Sequence, residues 1–422
     1  MPPKRSGMMC LWILLSASSM YAQSNPPPVS TAPLTMQQAV ERALERNPAL
    51  LAAREHLAAT RAQRITAAQR QNPTLTLLGQ GVTLPEVNNE GGNPYYYSAN
   101  VSRLFERGQK RRWRMDSATA TGDQTEDQLK DQERQVTLNV RQAFTNLLVA
   151  KESLSIAEEN LTDYRKTVDL SKSRLDAGDI TRTDYERIDL QLAQFESDDD
   201  NAKLTIQQNS AQLQLLFGVE HPDPTLDVIG ALDLPALTKT REEAEQAAVA
   251  QRPDLGAAQQ GLVAARANAQ FAVAGGTADP TAALEYERSG ANNTLGASIA
   301  IPLRIFDRNQ GEKERTRFEV NSSQFAVQAA RNQVINDVDQ AWSALETARH
   351  LADRYNSHYL EEAGRVRDNL QFSYRNGNAT LLDYLEALRD YRAIHLSSLN
   401  ANAQVWLALH QLSYATATDM TP

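Results

Sequence analysis

The chain has 422 residues, 41% of them hydrophobic, a formal net charge of −9 and a mean hydropathy of −0.50. That length accommodates two or three ordinary domains, and the acidic balance speaks against a nucleic-acid partner. No apolar run beyond the N-terminus is long enough for a membrane-crossing helix, and the one cysteine and six scattered histidines form no metal-ligand spacing.

Taken in order, residues 1–22 read as a secretory signal peptide. Lys4 and Arg5 precede an apolar run that includes Leu11, Trp12, Ile13, Leu14 and Leu15, and Ala22 is a cleavage point. Cys10 lies inside this leader, too early for a lipoprotein cysteine. The thiol-free remainder fits an oxidising compartment. Residues 23–33 are proline-rich and read as an arm. Thr35 then caps a helix reaching to about Gln71, with a turn or kink at Asn47-Pro48. From Pro73 the period becomes two: Tyr97, Ala99 and Val101 alternate with Ser98, Asn100 and Ser102. With the turn-rich loop from Pro85 to Asn93, which contains Gly91-Gly92, this predicts a β-hairpin over about 73–105.

The stretch from Gln109 to Asp176 contains no proline and a single glycine, Gly122. Val136, Val140, Ala143, Leu147, Ala150, Leu154, Ala157, Leu161, Tyr164, Val168, Ser171 and Leu175 follow one another by threes and fours. This is a heptad seam that must lie along other helices. At about 1.5 Å per residue the helix would run roughly 100 Å. Gly178 breaks it, and a second helix from Thr183 to about Phe217 returns antiparallel. Residues 218–236 are a connector.

The pattern then starts again. Leu237-Thr238 answers Leu34-Thr35, Arg252-Pro253 answers Asn47-Pro48, and Asp279-Pro280 answers Asn72-Pro73. Phe306-Asp307-Arg308 answers Phe105-Glu106-Arg107, and Gly377 with Asp383-Tyr384 answers Gly178 with Asp184-Tyr185. The chain is therefore a duplicated unit of helix, β-hairpin, long helix and short helix. The first copy spans 34–217, with its hairpin at about 73–105 and helical hairpin at about 109–217. The second spans 237–416, with these at about 280–305 and 309–416, and 417–422 form a tail. In the second hairpin Ala282, Leu284 and Tyr286 alternate with Ala283, Glu285 and Glu287. Leu295, Ala297, Ile299, Ile301 and Leu303 alternate with small residues and Pro302. One face is apolar and the other polar, which in a membrane barrel puts lipid outside and water inside. Four strands cannot close a barrel, so chains must associate; the strands alone leave their number open.

Three segments carry a resemblance to a known family. They are Ile301-Pro302-Leu303-Arg304-Ile305-Phe306-Asp307-Arg308-Asn309-Gln310-Gly311, Arg174-Leu175-Asp176-Ala177-Gly178 through Asp184, and Tyr374-Arg375-Asn376-Gly377 through Asp383. With them the chain resembles the outer-membrane factor family of TolC-like efflux channels. The Phe105–Arg111 and Phe306–Gln310 segments are similar to its CzcC-like cation-efflux branch. The resemblance implies a mainly α fold with a small membrane β-barrel: a homotrimer whose twelve-strand barrel in outer-membrane lipid continues into a long α-helical barrel in the periplasm. It implies passive transport, a periplasmic adaptor and an inner-membrane pump of the RND type as partners, and no cofactor.

Two groups of residues are the candidate sites. Gly178 and Gly377 permit the positive φ that a sharp helix reversal needs. Under the resemblance, Leu175, Ala177, Gly178, Ile180, Asn376, Gly377, Ala379 and Leu381 form tips on which adaptor hairpins dock. Asp383 and Glu386, one helical turn apart, become rings of carboxylates at the channel entrance. Tyr374 and Asp184 match positions that hold the entrance closed. Ala379 stands where the family pattern has an arginine, and Arg182 or Arg375 are the candidate replacements. Lys110-Arg111-Arg112-Trp113-Arg114 reads as basic stems and a tryptophan at the membrane–water boundary, and Asp198-Asp199-Asp200 as a solvated face or tunnel lining. No nucleophile elbow, phosphate loop or dinucleotide motif is present, so no enzyme is expected. A periplasmic coiled-coil adaptor or scaffold, and the same channel in drug export or type I secretion, are the competing readings.

Overall fold

The computed structural model describes residues 33–81, 96–236 and 239–420. The leader, nearly all of the arm, the loop with Gly91-Gly92 and the Leu237-Thr238 pair lie outside the described residues.

Thr35 begins α1 (Met36–Arg46) with a reciprocal cap. Its hydroxyl oxygen accepts from Gln38 N, and the Gln38 side chain accepts from Thr35 N. The sequence predicted one kinked helix to about Gln71. There are two, because Asn47 leaves the helical conformation and caps α2 (Pro48–Ala68) through Ala49 N and Leu50 N. Then come β1 (Thr74–Gln80), β2 (Tyr96–Leu104), α3 (Lys110–Ala177) and α4 (Arg182–Leu216). All twelve seam residues of α3 are buried or half-buried, and its 68 residues span roughly 100 Å.

The second copy opens at Thr240, whose hydroxyl and Glu243 form the same reciprocal cap for α5 (Arg241–Gln251). It continues with α6 (Pro253–Gly275), β3 (Thr281–Ser289) and β4 (Asn292–Ala300). The sequence reading carried the last strand on through Ile301 and Leu303. It stops at Ala300, because Pro302 has no N–H to give a ladder. The long helix is interrupted here: α7 (Gln310–Arg354) passes through a π-helical turn, Tyr355–Tyr359, into α8 (Leu360–Arg375). The chain returns in α9 (Leu381–Thr416).

The four strands make one antiparallel sheet in the order β1-β2-β3-β4. Its register aligns two faces. Leu75, Val101, Leu284 and Ala297 form one apolar row, and Leu77, Ala99, Tyr286 and Leu295 the next. On the other face Thr76, Asn100, Glu285 and Gly296 lie in line, as do Leu78, Ser98, Glu287 and Thr294. Arg103 and Arg288 share the apolar face, each near the C-terminal end of its strand, and so lie toward opposite ends of this antiparallel pair.

The sheet is fastened to the helices at its base. The Asp279 carboxylate accepts from Arg107 N at 2.8 Å and from Lys110 Nζ at 2.6 Å, and Lys110 also donates to Thr277 O. Arg111 Nε donates to Ala68 O at 2.7 Å, and Arg114 pairs with Glu106. The basic run thus ties the ends of neighbouring helices and strands together, which the membrane-boundary reading of its stems did not include.

Below the sheet the copies build matching cores. Ala39 and Ala43 of α1 face Val140, Phe144 and Leu147 of α3 and Leu213 of α4. Ala244 and Ala248 of α5 face Val338, Ala341 and Leu345 of α7 and Leu412 of α9. Each pair of alanines has no exposed surface, letting helices approach closely. The helix breaks also match. Asn47 Nδ2 donates to Leu216 O at the end of α4, and Arg252 Nη1 to Ala415 O at the end of α9. Arg252 is buried and also pairs with Asp254 and Asp337.

Two outcomes follow from these cores. Arg252→Ala removes the buried cation shared by Asp254 and Asp337, leaving them Arg134 and Gln333 as partners, and destabilises by at most about 3–5 kcal/mol, whereas Arg252→Met costs less; thermal unfolding of detergent-solubilised protein reads the order. His410 is buried, with Nε2 3.1 Å from Thr145 Oγ1. Burial, aided by the Arg141 charge, pushes it down to about 4. The fold keeps it neutral, while the unfolded chain takes up a proton below about 6.5. Its contribution is complete above that pH and is lost as pH falls toward 4. The unfolding temperature therefore drops between pH 7 and pH 5, and less so in His410→Gln.

Candidate functional site

The two helical turns are built from one repeated recipe. Gly178 ends α3 with φ +82°, and Asp179 N donates back to Arg174 O. Gly377 follows α8 with φ +75°, and Asn378 N donates to Ser373 O. These are Schellman closures, which place glycine where a side chain would be strained. A Cβ on either glycine would meet nothing within 4 Å. The requirement is therefore conformational, and the space beyond each turn is open.

Three residues after each glycine a threonine starts the returning helix. The Thr181 hydroxyl oxygen accepts from Asp184 N, and its O–H donates to the Asp184 carboxylate at 2.8 Å. Thr380 and Asp383 repeat this at 2.6 Å, and Asp383 also accepts from Thr380 N. Hydrogen bonds from the Thr380 side chain, then its backbone, hold the Asp383 carboxyl below the ordinary carboxylate range. Both aspartates are thus committed to helix caps, a role the sequence reading did not assign them. Glu386 is exposed on α9. It borders a cavity of about 220 Å³ shared with Gln191, Leu385, Arg389 and Arg392.

Between the turns lies a small aromatic core. Tyr164 and Ile188 of the first copy pack with Tyr374, Tyr384 and Leu388 of the second. Tyr374 is buried and stacks on Tyr384 with ring centres 5.5 Å apart. Thr167 Oγ1 and Tyr384 Oη are within 3.3 Å. Ala379 and Leu381 pack against this core, half-buried, while Ala177 and Asn376 are fully displayed and Leu175 and Ile180 half so.

The arginine at this junction is neither candidate. Arg182 pairs with Glu186 on its own helix, and Arg375 is exposed. Arg174 instead lies 5.1 Å over the Tyr374 ring, and its Nη1 donates to Tyr374 O at 3.4 Å. It sits one turn before Gly178, inside a motif already singled out. It went unrecognised because its partner lies 200 residues away. Asp184 does not join Tyr374; it stays in its own cap. Among the described residues no group of three or more His, Cys, Asp or Glu is placed to hold a metal ion, and no helix is long and apolar enough to cross a membrane.

Comparison with known proteins agrees with this architecture. The model of the outer membrane efflux protein family matches twice, over residues 39–219 and 244–418. The cobalt-zinc-cadmium resistance protein CzcC of Cupriavidus metallidurans is 24% identical over 90% of each chain. Among solved structures, CusC superposes with a TM-score of 0.76 at 21% identity, covering 90% of this chain and 91% of that one. The open-state MtrE outer membrane channel of Neisseria gonorrhoeae gives 0.74 at 18% identity, covering 92% and 89%. With both copies matched in order, the chain belongs to the outer membrane efflux protein family, whose members are trimeric outer-membrane channels that work with adaptors and inner-membrane pumps: it is a passive outer-membrane channel and not an enzyme.

Proposed function

We propose that this channel passes divalent metal cations, handed on by a periplasmic adaptor and an RND-type pump. The polar face of the sheet carries the substrate reading. Among the described strand residues, Glu285 and Glu287 are its only charged side chains, while Arg103 and Arg288 fall on the apolar face. In a barrel of three copies the water-filled side then carries carboxylates with no opposing cation from the strands. Such a lining concentrates cations and repels anions. The likeness to a cobalt-zinc-cadmium resistance protein over nearly the whole chain points the same way.

The helical turns are the adaptor-docking tips, with Leu175, Ala177, Gly178, Ile180, Asn376, Gly377, Ala379 and Leu381 as the contact region. Open space beyond Gly178 and Gly377 supports this, because a partner helix can approach the bare backbone. Asp383 and Glu386 line the entrance, and Tyr374 holds it narrow, with Arg174 in place of the arginine missing at Ala379. Asp184 contributes by fixing the start of α4.

Reconstitution tests the channel and its selectivity together. The purified protein gives discrete conductance steps in a planar bilayer, with cations preferred over anions. Asp383→Asn with Glu386→Gln weakens block by divalent cations; unchanged block and selectivity remove the entrance assignment. A bilayer that stays silent, or an anion-preferring channel, overturns the cation reading. Docking is tested separately. Gly377→Leu and Gly178→Leu trimers assemble but fail to support efflux in cells, and normal metal resistance in such cells refutes the docking role.

A further inference from the structure

The run Asp198-Asp199-Asp200 reads in sequence as a solvated face or tunnel lining. The structure divides it. Asp200 is exposed, and Asp199 is buried and pairs with Lys203 at 2.7 Å. Asp198 reaches out of its own copy and pairs with Arg392 on α9. The Arg392 guanidinium also lies 4.4 Å over the ring of Phe195. Phe195 stacks on Tyr164 at 4.3 Å, and Tyr164 Oη donates to Ile188 O. One cation of the second copy is therefore gripped by a carboxylate and an aromatic stack of the first. The two charged side chains are 17% and 29% exposed, so water and salt screen them less than a surface pair.

Packing around this pair is open. A cavity of about 230 Å³ on one side is bordered by Ile156, Phe195, Asp198, Asn201 and Arg392. The cavity of about 220 Å³ that borders Glu386 lies on the other side. Along α8 only Tyr374 is buried, and along α9 nothing between Leu388 and Ser398 is buried. The π-helical turn Tyr355–Tyr359 stands above this thinly packed stretch, and such turns are places where helices bend. The first copy differs at the same level. There α3 runs unbroken and buries Ile156, Leu161, Tyr164, Thr167 and Ser171.

We infer that the Asp198–Arg392 pair is a positioning tie that sets where the second helical hairpin lies against the first, and so how wide the tunnel entrance stands. This rests on the entrance reading above. Where apolar burial is scarce, a half-buried ion pair reinforced by a cation–π contact carries a larger share of the holding force. Released, α8 and the adjoining half of α9 swing about the π-helical turn, taking Tyr374, Asp383 and Glu386 with them.

The test compares Asp198→Asn, Arg392→Gln and the charge-swapped pair Asp198→Arg with Arg392→Asp in planar bilayers, with Arg174→Gln as a control on the tips. Each single variant raises open-channel occupancy by about tenfold. The swapped pair returns toward the unaltered protein, because its ion pair re-forms. Single variants that conduct like the unaltered channel while Arg174→Gln opens it overturn the tie and leave the entrance reading standing. If Arg174→Gln is silent as well, the entrance reading fails and the tie with it. Equal opening in the singles and the swap, in trimers of unchanged thermal stability, assigns the effect to lost packing at Phe195 and also overturns the tie.

Discussion

Backbone amides and carbonyls along the outer sides of β1 and β4 have no partner within the chain's sheet, and lipid hydrocarbon offers none. An unsatisfied backbone group in that medium costs several kcal/mol, so an open sheet edge cannot persist there. The sheet must close, and four strands are too few to close on themselves. Three copies placed edge to edge give twelve. Association of copies is thus a consequence of backbone hydrogen bonding before any side chain is considered. The side chains then agree with it. Leu75, Leu77, Leu284, Leu295 and Ile299 are all exposed in the single chain, on the face that closure turns toward lipid.

Closure also explains why the base of the sheet is so heavily fastened. A barrel that continues into a helical tunnel needs each strand to hand over to a helix at a fixed angle. Both long helices begin after a residue in the left-handed conformation, Gln109 with φ 59° and Asn309 with φ 63°. That strain is of order 1–3 kcal/mol per residue unless the surroundings determine it. Asp279, Lys110 and Arg107 supply such surroundings in one copy, and Asn309 Nδ2 bonded to Ala272 O supplies them in the other. The charged run after the first hairpin is a joint, in which Lys110, Arg111 and Arg114 grip carbonyls and carboxylates.

Duplication lets the two copies be compared as two solutions to one problem. At the tips the solutions nearly coincide: glycine, threonine and aspartate stand at the same spacing with the same closures, and the second adds one bond, from Thr380 N to Asp383. At the helix breaks they diverge. Asn47 caps a helix and holds a carbonyl with a neutral amide, whereas Arg252 holds the equivalent carbonyl with a buried charge and recruits Asp254 and Asp337 to neutralise it. Along the long helices they diverge again, α3 unbroken and its counterpart carrying a π-helical turn. The second copy is the less tightly packed toward its tip, and the contacts that hold it come from the first.

Much of this was legible in one dimension. Period two in Ala282–Glu287 and period 3.5 along α3 report directly on which side of an element faces water, because side-chain direction is locked to backbone periodicity. Hence the strands, the seam, the repeat and the positive-φ glycines were all readable, as was the insufficiency of four strands. Partnerships were not. Arg174 with Tyr374, Asp198 with Arg392 and Asp279 with Lys110 join residues about 170 to 200 positions apart, and charge in a sequence carries no address. An aspartate run looks solvated until folding brings a guanidinium to one member. Asp184 and Asp383 look like free carboxylates until the turn geometry makes them caps. Periodicity alone settled what is inside and what is outside; only three-dimensional proximity decided which charges meet, because pairing depends on distance through space and not on position along the chain.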